Sequence, residues 1–173
     1  MTAPVAVFCI GNPSRGDDAL GPFICGELEK WPEIGNGQVE LIEDFQLQIE
    51  HALDLVGRQL VLFIDAATTT QAPFDFRRIF ASTAVAHTSH ALLPEAVLQV
   101  FCQTEGGKPP PAFVLGVRGE SFELGAAVSA AAMAHAAAAM ALLTRLLGRP
   151  ELAAWESLTT GAIGSAAAIV DAG

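Results

Sequence analysis

Apolar residues along this chain recur with two different periods. Apolar runs of strand length occupy 5–10, 39–42, 60–64 and 113–117, and three of them lack the alternation of a half-exposed strand. That is the pattern of strands covered on both faces. Between the runs, apolar residues return at helical spacing: Leu20, Ile24, Leu28 and Trp31 on one stripe, Ile49, Leu53 and Val56 on a second, Val97, Val100 and Phe101 on a third. Alternating strands and helices predict an α/β fold around a mostly parallel sheet. The segment FDFRRIF (74–80) follows the third run by only about ten residues, too few for a helical crossover. It is predicted to pair antiparallel as an edge strand, where Arg77 and Arg78 are well tolerated.

Residues 125–143 carry no acidic or basic side chain other than His135, and so have the length and composition of a membrane span. The stretch is mostly alanine, a strong helix former that is only weakly apolar, and its larger side chains gather in the second half and just beyond. A closely packed core helix is the expectation, stopping at Gly148 with Pro150 beyond. No repeat or internal boundary is visible. We expect one α/β domain over 1–150 and a C-terminal tail, 151–173, to which pattern assigns no structure.

Composition narrows the class. The 173 residues are 51% hydrophobic and 16% charged, enough to bury one core. A net charge of −10, with nine scattered Lys and Arg, supplies no surface for tracking phosphate, so nucleic acid is not an expected partner. Cys9, Cys25 and Cys102 are widely spaced in apolar sequence, as buried reduced thiols rather than a disulfide framework. With no basic stretch ahead of the first apolar run, a cytoplasmic, membrane-free setting is expected. No heptad or surface patch is readable, and a monomer is expected.

In open α/β sheets, ligands collect beyond the carboxyl ends of the strands. Three polar clusters fall there. Asp17 and Asp18 follow the first strand in CIGNPSRGDDALGP, Asp65 closes the third in LFIDAA, and His87 and His90 lie in HTSH before the helix that Pro94 starts. The first loop lacks G-x-G-x-x-G and G-K-[ST], and adjacent carboxylates repel phosphate. Two oxygen ligands and an imidazole suit a divalent transition metal with open positions. Asp17 or Asp18 serves equally as a helix cap, Asp65 as an Asx turn, and either histidine as a loop hydrogen-bonder. The residues alone do not choose between Asp17 and Asp18, or between His87 and His90. There is no GxSxG, and no cysteine has an evident histidine partner.

IGNPSRGDDALGP, LFIDA and TSHALLPEAVL, in that order and approximate spacing, resemble the hydrogenase maturation endopeptidases. These trim the C-terminal extension of a nickel-iron hydrogenase large-subunit precursor after nickel insertion. The likeness runs to about Leu147. It implies a three-layer αβα sandwich of the phosphorylase/hydrolase-like kind, with a five-stranded twisted sheet and one antiparallel strand. It also implies a metal-dependent peptidase whose ligands are Asp18, Asp65 and His90, with Asp17 as a neighbour, acting on nickel carried by the precursor. One departure stands out: where many members have Asp-Gly-Gly-Thr, this chain reads EDFQLQIEHALDL, keeping Asp44 as a candidate substrate-loop residue. That loop resembles those of proteases serving soluble, NAD-linked hydrogenases. A nickel-sensing chaperone that docks on the precursor without cutting it would use the same residues.

Overall fold

Strands form where the apolar runs lie. The computed structural model describes residues 1–83 and 92–161. In it, β1 (Val5–Ile10), β2 (Val39–Asp44), β3 (Leu60–Ala67), β4 (Phe74–Ile79) and β5 (Ala112–Arg118) make one sheet in the order β2-β1-β3-β5-β4. All pairings are parallel except β4 with β5, which is antiparallel at the edge, as FDFRRIF predicted.

Successive strand residues point to opposite faces, and both faces are covered. Val5, Val7 and Cys9 of β1, with Leu60, Leu62 and Ile64 of β3, pack under α1 (Leu20–Leu28) and α4 (Ala130–Gly148). Ala6, Phe8, Val61 and Phe63 face the other way, against α3 (Pro94–Glu105) and a 3-10 segment at Ile49–Leu55. A single turn, α2 (Pro32–Gly35), leads into β2. The layers are therefore α, β and α, as the resemblance implied.

Two helical expectations need adjustment. The stripe of Ile49, Leu53 and Val56 faces outward, at 59, 65 and 45% exposure, while His51, Ala52 and Leu55 are buried. The segment is a 3-10 helix with about three residues per turn, so positions spaced for an α-helix do not stay on its buried side. The alanine-rich helix starts only at Ala130, where the Ser129 side chain caps it by accepting a hydrogen bond from the Ala132 N–H. By length and composition α4 could cross a membrane. Its Ala132, Ala136, Ala139, Leu143 and Leu146 form a fully buried seam against the sheet, which makes it a core helix.

Beyond Pro150 lies α5 (Leu152–Ser157). Its Trp155 is fully buried, stacks edge-on against Phe113 and Phe76, and donates Nε1–H to the Leu146 carbonyl at 2.8 Å.

Candidate functional site

Chain order decides where the sheet opens. From β1 the chain passes outward to β2 on one side, then returns across to β3 on the other. The crevice at the carboxyl ends of β1 and β3 is the topological switch point, where such sheets place ligands. Asp18 lies in the 3-10 turn Gly16–Ala19 that follows β1, and Asp65 lies near the end of β3.

Glycines bring the first loop close to the strand ends. A Cβ on Gly11 would sit 2.0 Å from the Asp18 carbonyl oxygen, and one on Gly21 would sit 2.2 Å from the Ile10 carbonyl oxygen, so neither position accepts a side chain. Asp18 Oδ2 accepts a hydrogen bond from the Asn12 N–H at 2.9 Å, which holds the carboxylate inside its own loop.

Asp17 has a different task. It is fully buried, with Oδ2 accepting from the N–H groups of Glu120 (2.7 Å) and Ser121 (3.0 Å) and from the Ser129 hydroxyl (2.8 Å), while Oδ1 accepts from the Ser129 N–H (2.6 Å). Burial alone would raise its pKa, but these bonds to the charged form more than offset that and hold it below the usual carboxylate range. Neither aspartate side chain caps the first helix. Asp17 ties the β1 loop to the segment between β5 and α4, so the neighbouring carboxylates have separate roles.

Asp65 accepts a hydrogen bond from the adjacent Ala66 N–H at 2.8 Å. Its pKa is pushed up to about 7, first by burial and then by the negative charge of Asp18, against the lowering effect of that hydrogen bond. Neither Asp18 nor Asp65 has an ion-pair partner among the described residues. A buried carboxylate whose proton affinity is raised by a second carboxylate is a natural seat for a cation, which would replace the proton. Asp65 also lines a cavity of about 540 Å³, with Leu47 and Phe63 on its apolar side and Thr70, Arg77 and Glu95 on its polar side.

Asp44 reaches the same end of the sheet. It pairs in register with Ile10, and Asp65 follows Ile64, which pairs with Cys9, so both carboxylates stand level on one face with β1 between them. Two strand spacings, roughly 10 Å, make Asp44 a neighbour of Asp65 rather than a contact. Its Oδ1 accepts the Phe45 N–H at 2.7 Å, and its Oδ2 lies 3.3 Å from Nε2 of His51. Nδ1 of that buried ring accepts the Gln48 N–H, leaving Nε2 as the donor to Asp44. No sequence pattern singles out His51, because only the fold places it beside Asp44. His87 and His90 lie outside the described residues.

No family model matches the sequence, and no curated protein does. Solved structures match it closely in shape. The hydrogenase maturating endopeptidase HybD from E. coli superposes with a TM-score of 0.65 at 20% identity, over 87% of this chain and 94% of that one. The nickel-iron hydrogenase maturation protease HycI from Thermococcus kodakarensis gives 0.62 at 22%, over 85% and 94%. The hydrogenase 2 maturation peptidase from a Thaumarchaeota archaeon gives 0.59 at 24%, over 83% and 97%. This chain has the maturation-protease fold. Within that fold its own sequence puts Asp18 and Asp65 at the switch point and the departing loop, 45–56, beside Asp44.

Proposed function

We propose that the chain is a hydrogenase maturation endopeptidase, a soluble cytoplasmic enzyme that removes the C-terminal extension of a nickel-iron hydrogenase large-subunit precursor. The observation that carries the reading is the approach of Asp18, from the turn after β1, and Asp65, from the end of β3, to one crevice where the charge of Asp18 raises the pKa of Asp65. The shared fold with known maturation proteases supports it.

Nickel enters as the precursor's cargo. Asp18 and Asp65, with His90 as the third ligand, take up open positions on that nickel and so place the scissile peptide. A metal held there polarises the peptide carbonyl or lowers the pKa of a bound water, the two means by which such an ion assists hydrolysis. A precursor without nickel offers these ligands nothing to hold, which makes the metal a check on completed assembly.

A protein substrate also needs a surface. Phe45, Ile49, Leu53 and Val56 are all exposed large hydrophobics on the segment that begins next to Asp44. Grouped apolar exposure of this kind marks interaction sites. In this reading the segment receives the precursor, and its departure from Asp-Gly-Gly-Thr suits a client of the soluble, NAD-linked hydrogenase type.

The test is incubation of the purified chain with nickel-loaded precursor, followed by mass spectrometry of the precursor's C-terminus. The expected result is a mass loss with the wild type and none with Asp65→Asn or His90→Ala. A stable complex without shortening overturns the peptidase reading in favour of a docking chaperone.

A further inference from the structure

The opposite face of the sheet holds a second group of metal-ligating side chains, remote in role from Asp44 and Asp65. Cys25 lies in the last turn of α1, and Glu29, the residue that caps that helix, follows four positions later on the same side. Glu43 of β2 pairs in register with Cys9 of β1, so both project toward α1. Ligand atoms of Cys25, Glu29 and Glu43 all lie within 4.8 Å of one another.

We propose that Cys25, Glu29 and Glu43 form a binding site for a thiophilic divalent cation of the zinc class. The donor set is one sulfur and two carboxylate oxygens from two elements, leaving a position for water in a tetrahedral sphere. Sulfur selects against magnesium and calcium, which require oxygen ligands alone. Cys25 is 1% exposed, whereas both glutamates are solvent-exposed, so the carboxylates form the open side by which an ion enters.

The surroundings favour a cation. Neither Glu29 nor Glu43 has an ion-pair partner among the described residues, and Lys30, next to Glu29, is turned to Glu27 at 3.0 Å. Cys9 is fully buried on the sheet beneath the group. Binding displaces the Cys25 proton and neutralises the charge gathered around it. The bound ion fastens α1 to β2, and α1 starts directly after the Asp18 turn.

Cobalt(II) and zinc titrations of the full chain test this, independently of any precursor. Cobalt bound through sulfur shows a near-ultraviolet charge-transfer band that a carboxylate and imidazole site lacks. The wild type, Asp65→Asn and Cys102→Ser are each expected to show the band, and zinc is expected to raise the melting temperature of each. Cys25→Ser is expected to abolish the band. The double variant Glu29→Gln/Glu43→Gln, altered only at the surface, is expected to bind zinc about tenfold or more weakly. No band with excess cobalt overturns the site, as does a band lost in Cys102→Ser or Asp65→Asn, or unchanged zinc affinity in the double variant. Precursor cleavage is read separately, so failure of the proposed function leaves this result standing.

Discussion

Asp17 and Asp18 are neighbours in sequence with opposite surroundings, and their environments rather than their identity separate them. Asp17 ends four hydrogen bonds that cross more than a hundred residues of chain. Asp17→Ala strands those donors and is expected to cost about 3 kcal/mol or more in urea unfolding. Because its folded pKa is lowered, Asp17 contributes fully above its unfolded pKa, near 4, and that contribution disappears as pH falls further. The difference in stability between wild type and Asp17→Ala should therefore shrink below about pH 4. Asp65 has the reverse sign. Its folded pKa of about 7 lies above the unfolded value, so its ionisation weakens the fold progressively as pH rises from about 4 to 7. Asp65→Asn is expected to raise the melting temperature of the metal-free protein at pH 8, with a smaller gain at pH 5. A lower melting temperature at pH 8 would show that the carboxylate is not under strain. Such a gain is the mark of a residue kept for something other than stability.

At the scale of elements, the segment 45–56 best separates fold from function. An outward apolar stripe on a 3-10 turn contributes little to the core, so Leu53→Lys is expected to change stability by about 0.5 kcal/mol or less. In the proposed function it should slow precursor processing about tenfold or more, the scale of a hot-spot contact. Normal processing by Leu53→Lys would remove this segment from the docking surface. The same segment shows why the site was only partly legible. The Asp17–Asp18 pair and Asp65 announce themselves as carboxylates at strand exits, though the pattern does not choose between the first two. The pairing of Asp44 with His51 depends on a turn whose pitch the apolar spacing misrepresents.

For the molecule as a whole, the last described helix closes the core. Trp155 lies against Phe76 and Phe113 under the antiparallel edge, and Phe76 N–H is bonded to the Thr160 hydroxyl at 2.8 Å. Trp155→Ala is expected to destabilise the protein by about 3–5 kcal/mol, measured by denaturant unfolding. Little change would mean that α5 sits on the domain without being part of it. The tail showed no period because a six-residue helix anchored by one tryptophan is too short to repeat a stripe.

The sequence by itself determined the strands, the antiparallel edge, the alanine-rich core helix and the carboxylates at the exits of β1 and β3. Those features are local: burial on two faces forces unbroken apolar runs, and a charge next to such a run must sit at its end. Tertiary structure alone decided that Asp17 braces a distant loop, that His51 meets Asp44, and that Cys25, Glu29 and Glu43 come together. Each of these joins residues through strand register and crossover direction. Neither leaves a periodic trace in the chain.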